Sequence, residues 1–240
     1  MLAVIGGTGF AEFSQLENIT GSVVSTDYGD VYVEQGELHS QKLVFLPRHG
    51  HPPRFLPHRI NYRANIDALV KLNVQRVLAV TAVGSVDPSL QVADLVIPDQ
   101  IIDYTYGREH TFYEDELTHI DLTYPYDPKF RAELIHCAEQ LQNVSGVWNG
   151  VYGCTQGPRL ETAAEIKRLY NDGCTIVGMT AMPEAALARE RDLPYAGISF
   201  IVNAGAGIED EPIEMDVIKE NLDVGLGRVV QVIGAYLKSS

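Results

Sequence analysis

Residues 174–205 constrain this chain more than any other stretch. The apolar run from Cys174 to Gly178 reads as a buried strand, and Pro183 suits a first helical turn, where its missing N–H costs nothing. Ala185–Arg191 is rich in helix formers, and Leu193–Val202 is a second buried strand that delivers Asn203-Ala-Gly205. A strand–helix–strand unit of this length predicts a parallel pair, and ligands in such sheets gather at the carboxyl ends of the strands. Met179, Thr180 and Glu184 are expected just past one such end and Asn203 at the other, bringing a hydroxyl, a carboxylate and an amide to one rim. Plainer readings make Glu184 a first-turn helix acid and Asn203 a turn residue.

The same habit recurs along the chain. Leu2–Ile5 reads as a strand entering Gly6-Gly-Thr-Gly9, and Lys42–Leu46 as one delivering Pro47-Arg48-His49-Gly50. Arg76–Thr81 runs into Ala82-Val-Gly-Ser85, and Val147–Tyr152 leads to Thr155-Gln-Gly-Pro-Arg-Leu-Glu161. Further strands are expected at Ser22–Asp27, Val31–Gly36 and Leu95–Ile102. Helical spacing covers Asn61–Leu72, a segment from Asp127-Pro128 to Leu141, another ending at Tyr170, and a last helix from about Glu214. That last helix carries Met215, Ile218, Leu222, Leu226, Val229, Ile233 and Tyr236 as an apolar stripe. Asp103–Tyr126 is long, irregular and rich in aromatics, which predicts a functional or interfacial loop. The alternation of strands and helices predicts one α/β domain over residues 1–240.

A net charge of -14 argues against nucleic acid or an anionic membrane as partner. Cys137, Cys154 and Cys174 are odd in number and widely spaced, which suggests neither a disulfide framework nor a zinc ribbon. Without a signal peptide or membrane-length apolar run, the expected compartment is the cytoplasm.

Gly6-Gly-Thr-Gly9 can cradle phosphate on backbone N–H groups. Its rival is a dinucleotide fingerprint, but the third glycine would fall on Glu12, whose charge repels a pyrophosphate. Arg48 offers a bidentate fork to phosphate and His49 a second donor, against the alternative of a surface strand end. His49-Gly-His51 has the form of a metal-binding pair, but no partner cluster accompanies it, so no metal and no cofactor are expected. No G-x-S-x-G elbow is present for a serine hydrolase.

Taken together, IGGTGF (5–10), PRHGH (47–51), NYRANI (61–66), VTAVGS (80–85), ADLVIPDQIID (93–103), TQGPRLETAAEI (155–166) and GMTAMPEAALARE (178–190) closely resemble the trimeric purine nucleoside phosphorylase family, especially its methylthioadenosine phosphorylase branch. The resemblance implies a central mixed sheet surrounded by helices, a homotrimer, and a nucleoside and orthophosphate as substrates. It implies phosphate held by Thr8, Arg48, His49, Thr81, Ala82 and Thr180, with Met179 bordering the ribose. His119 matches a histidine that this branch lends to the neighbouring subunit's site, toward the 5′ group. The family's further phosphate-side histidine aligns near Pro53, in a proline run that leaves His51 and Arg54 without an assigned role.

Base and sugar discriminate within the resemblance. Adenine-using members have paired aspartates where this chain has Val202-Asn203-Ala204-Gly205, whereas 6-oxopurine-specific members have asparagine. Asn203 can donate to O6 or N7 and accept from a protonated N7. Glu161, next to Leu160, matches the glutamate that accepts the N1–H of a 6-oxopurine, and adenine lacks that hydrogen. Asn203, Glu161 and His49 are therefore the expected catalytic groups. Where inosine phosphorylases carry a histidine for the 5′-hydroxyl, this chain has Met215, with Ile218 one turn on. The two read either as core stripe or as an apolar pocket for a 5′-methylthio group. The combination points to 5′-methylthioinosine, cleaved by orthophosphate to hypoxanthine and 5-methylthioribose 1-phosphate. Methylthioadenosine or inosine phosphorolysis, and non-catalytic nucleoside binding, are the rival readings.

Overall fold

A computed structural model describes residues 1–7, 9–10, 13–209 and 215–239, without the side chains of residues 215–217, 219 and 220. The chain opens with β1 (Leu2–Gly6), a hairpin of β2 (Glu17–Thr26) and β3 (Gly29–Leu38), and β4 (Gln41–Pro47). Next come α1 (Tyr62–Lys71), β5 (Arg76–Ser85), β6 (Leu95–Val96) and β7 (Gln100–Asp103). Then follow α2 (Pro128–Glu139), β8 (Gly146–Val147), β9 (Val151–Cys154) and α3 (Ala163–Asn171). The chain ends with β10 (Ile176–Gly178), α4 (Ala181–Glu190), β11 (Tyr195–Ala204) and α5 (Met215–Ser239).

The strands form one mixed sheet in the order β2-β3-β4-β1-β5-β10-β9-β7, with β11 on β5 and β6 and β8 beyond it. Helices cover both faces. On one side α2 and α5 set Phe130, Val229 and Ile233 against Leu78, Ile198 and Phe200. On the other, α1 and α4 set Ile66, Leu69 and Leu187 against Val44, Leu46 and Val77. Each such fully buried side chain is worth roughly 1.5–3 kcal/mol of transfer free energy. The helix starts are fixed locally: Asn61 accepts from Ala64 N, Asp127 from Phe130 N, and Thr162 with Glu165 forms a reciprocal capping box.

Three expectations change. β10 and β11 are not a parallel pair: β5 lies between them, parallel to β11 and antiparallel to β10. β11 runs beside β5 from Val77 to Ser85, whereas the three residues of β10 pair with β9 and only the end of β5. The expected strands at 95–102 and 147–152 are each two short strands. Pro98 has no N–H for a ladder, and Arg131 takes the carbonyls of Ile97, Pro98 and Trp148, so the chain changes partners there. Residues 104–126 contain no helix or strand. They are tied to α4 by Glu190, which accepts from Thr111 Oγ1 and Phe112 N at 2.7 Å each, and by Arg191 over the Phe112 ring at 4.0 Å. Among the described residues no helix is long and apolar enough to cross a membrane.

Candidate active site

The sheet has a built-in opening. Along one edge of β5, β1 pairs as far as Ala79 and β10 begins only at Gly84, while β11 fills the other edge. Between those points the β5 backbone has no strand partner among the described residues, and a cavity of about 640 Å³ lies against it. Its size suits a small ligand. Its walls are the expected strand ends: Gly7 and Gly9, Arg48 and His49, Thr81 and Ala82, Leu160 and Glu161, Met179 and Thr180, and Asn203. Thr8 lies outside the described residues.

Arg48 is oriented otherwise than expected. Its fork faces Glu184, with Nε to Oε2 at 2.7 Å and Nη2 to Oε1 at 2.9 Å, and Nη1 donates to Val80 O at 3.0 Å. Three of the five guanidinium donors are thus taken by protein, which leaves two rather than a free bidentate fork. Glu184 is a first-turn acid of α4 and not a rim carboxylate; it is fully buried and also accepts from Tyr195 Oη at 2.9 Å. Burial works against the Arg48 cation, but the charge and hydrogen bonds of Glu184 outweigh it and hold its pKa above the ordinary value. Gly7 makes room for this arrangement, since a Cβ there would stand 2.7 Å from Arg48 Nη1.

Next to Arg48, His49 Nδ1 lies 2.7 Å from Phe55 O. A carbonyl only accepts, so Nδ1 carries the hydrogen and neutral His49 presents Nε2 as an acceptor, where the sequence suggested a donor. Burial lowers the His49 pKa, and nearby Arg48 adds to the effect against the opposing Phe55 hydrogen bond. His51 is stacked on Tyr32 instead, with ring centroids 4.4 Å apart. Among the described residues no group of three or more His, Cys, Asp or Glu is placed to hold a metal ion. Thr81 is buried, 2.8 Å from Ser199 Oγ. Thr180 lines the cavity at the N-cap position of α4 without capping it through its side chain; Met182, at φ −117° and ψ 137°, is non-helical, so the regular turns of α4 begin only at Pro183.

The opposite wall carries the groups expected at the base. A register shift between Ile201 and Asn203 interrupts β11, so consecutive residues Val202 and Asn203 both line the cavity, which strict alternation would forbid. Asn203 Nδ2 donates to Ala204 O at 2.7 Å. Glu161 Oε1 accepts from Thr155 Oγ1 at 2.6 Å. Ile218 and Leu222 of α5 add an apolar wall, with Phe55 and Leu56 from the proline-rich loop. The Met215 side chain is outside the described residues. His119 is exposed and does not line the cavity of its own chain. Pro53 and Arg54 do line it.

This geometry has close relatives. The family described as the phosphorylase superfamily matches residues 1–238. The chain belongs to the phosphorylase superfamily. Among the members of the superfamily that it resembles is the probable S-methyl-5'-thioinosine phosphorylase of Pseudomonas syringae pv. tomato, 44% identical over 99% of this chain and 98% of that protein. A protein of the same name from Xylella fastidiosa strain 9a5c is 50% identical over 87% of this chain and 90% of its own. The structure superposes on methylthioadenosine phosphorylase from Schistosoma mansoni in complex with adenine, with a TM-score of 0.93 and 27% identity, covering 99% of this chain and 90% of that one.

Within this superfamily member, sequence reasoning missed one organising side chain. Arg108, buried in the long loop, donates to the carbonyls of Met179, Met182 and Gln156 at 2.5–2.9 Å and to Thr155 O at 3.3 Å. It therefore joins two cavity-lining turns. Nothing in its local sequence signals this, because every partner is at least 46 residues away, the nearest being Tyr62. Burial pushes the Cys154 thiol up to about 12, so this free cysteine is packing rather than a nucleophile.

Proposed function

We propose that this enzyme is a pentosyltransferase that cleaves S-methyl-5′-thioinosine with orthophosphate, giving hypoxanthine and 5-methylthioribose 1-phosphate. The observation that carries it is the polarity of one cavity: an anion seat at Arg48 and Thr180, a carboxylate and an amide at Glu161 and Asn203, and aliphatic side chains at Ile218 and Leu222. Orthophosphate would sit against the stretch of β5 that lacks a strand partner, the two remaining Arg48 donors and Thr180, with Thr81 and Ala82 around it. Neutral His49 would accept a hydrogen bond at Nε2 from a protonated oxygen of the bound phosphate. Met179 would border the ribose, and Leu160 the base.

As the glycosidic bond breaks, negative charge develops on the purine and positive charge on the sugar. Glu161 accepts the N1–H of the 6-oxopurine. Asn203 donates to O6, and its Oδ1 accepts from N7 once solvent has protonated that atom, while a phosphate oxygen bonds to C1′ as the purine departs. Fixed partners of this kind supply electrostatic stabilisation without reorganisation. Adenine would face Glu161 with an acceptor, an unpaired contact that costs orders of magnitude in selectivity. At the 5′ end, His49 is the only imidazole among the described lining residues, and its Nδ1 is engaged by Phe55 O. An apolar wall at Ile218 and Leu222 suits a methylthio group better than a hydroxyl. No cofactor is needed beyond orthophosphate as co-substrate. A homotrimer would let exposed His119 reach a neighbouring site, which light scattering tests by mass. Three free cysteines suit the cytoplasm.

The deciding assay compares phosphate-dependent base release from methylthioinosine, methylthioadenosine and inosine under identical conditions. Methylthioinosine is expected to lead both others by tenfold or more, about 1.4 kcal/mol in the transition state. A tenfold preference for methylthioadenosine would overturn the base assignment, a preference for inosine the 5′ assignment, and binding without turnover the catalytic reading.

A further inference from the structure

Glu161 does not stand alone in the cavity wall. Its Oε1 accepts from Thr155 Oγ1 at 2.6 Å, within the range of a short charge-assisted bond, while the same hydroxyl lies 3.3 Å from Gly178 O. A hydroxyl has one hydrogen, and the shorter contact to the carboxylate takes it. Oε2 has no hydrogen-bond partner among the described residues. Thr155 is itself fixed. Its N–H donates to Gly178 O at 2.8 Å, extending the pairing of β9 with β10, and Arg108 Nη2 holds the carbonyls of Thr155 and Gln156 at 3.3 and 2.9 Å. Gly157 follows with a φ of +59° and packs against Met179 Sδ too closely for any Cβ, folding the chain back so that residues 155 and 161 face each other.

We propose that Thr155 is a positioning residue for base selection: its hydroxyl clamps one oxygen of Glu161, so that the other is presented to the N1–H of a 6-oxopurine. The proposal rests on the methylthioinosine reading above. A free glutamate side chain samples many rotamers and loses that freedom on meeting a base. Tethering Oε1 removes the cost beforehand, which is preorganisation in the ordinary sense. Thr155 contributes no contact to phosphate in this scheme, so base recognition and anion recognition should separate on substitution.

The test is Thr155→Val, which keeps the volume, removes the donor and leaves Gly178 O paired with the backbone N–H of residue 155. Thr155→Ser restores the hydroxyl, and Thr155→Ala serves should valine fail to fold. Since hydrogen bonds to charged groups are among the stronger ones, kcat/KM for methylthioinosine should fall at least about tenfold in the valine variant. The methylthioinosine-to-methylthioadenosine ratio should narrow in parallel. The affinity for hypoxanthine should weaken while the KM for orthophosphate stays within about twofold, and serine should restore the ratio to within about threefold. An unchanged ratio in a folded variant overturns the proposal, as does a parallel loss of phosphate affinity, which marks a merely structural role. If the wild-type enzyme prefers methylthioadenosine, the underlying reading fails regardless of Thr155; if it prefers methylthioinosine and the variants do not respond, only the role of Thr155 fails.

Discussion

Replacing Glu184 by glutamine should damage this protein more than almost any other isosteric change. Arg48 and Glu184 are 1% and 0% exposed, so solvent cannot take over when one partner is lost. Two charges about 4 Å apart at an effective dielectric near 20 attract by about 4 kcal/mol. Removing one partner from a buried pair costs about 3–5 kcal/mol in practice, because the remaining charge stays desolvated. Glutamine would also turn an N–H toward the Arg48 fork, donor against donor. In a chain of 240 residues about 1 kcal/mol moves Tm by about 2–4 °C, so a drop of roughly 6–20 °C is expected. The assay is urea and thermal unfolding without phosphate at one fixed protein concentration, since association shifts apparent stability. A double variant, Arg48→Met with Glu184→Met, should lose less than the single one, because no orphan charge remains. A loss below about 1 kcal/mol for Glu184→Gln, the worth of an exposed pair, would refute the burial argument. So would losses that simply add in the double variant.

Further tests address the base and the imidazole. Asn203→Asp removes the donor to O6 and should lower kcat/KM for methylthioinosine roughly ten- to a hundredfold, while raising methylthioadenosine cleavage relative to it; an unchanged ratio in steady-state assays removes Asn203 from base selection. His49 has a pKa lowered by burial, so on acidification the unfolded chain takes up its proton first. Its contribution to stability is therefore full above the ordinary histidine value and is lost as pH falls toward the depressed one, by at most about 1.4 kcal/mol per pH unit for one proton. Chemical unfolding across pH 5–8 should show that slope in the wild type and a flatter one in His49→Asn. Equal slopes would assign the acid sensitivity elsewhere.

What could be read from the sequence was local. Continuous apolar runs mark the central strands, and their small or polar endings mark Gly7, Arg48, Thr81, Met179 and Asn203, which all line one cavity. What stayed hidden depends on partners distant in the chain. The Arg48 fork looked available because Glu184 lies 136 residues away on another helix. Arg108 lies in an irregular loop, and all its side-chain partners are far away in sequence. Register hid the rest: periodicity marks β10 and β11 as strands but not that β5 separates them, and the shift that exposes Asn203 leaves no trace in residue type.

The missing pairing along β5 has a consequence for how such a protein can change. Backbone groups left without a strand partner by diverging strands belong to the main chain, and no substitution deletes them. A seat built in this way persists through changes of side chain, whereas the preference for one heterocycle over another hangs on a few exchangeable groups such as Glu161 and Asn203. New selectivity can therefore be acquired one codon at a time, without rebuilding the place where the shared reactant docks.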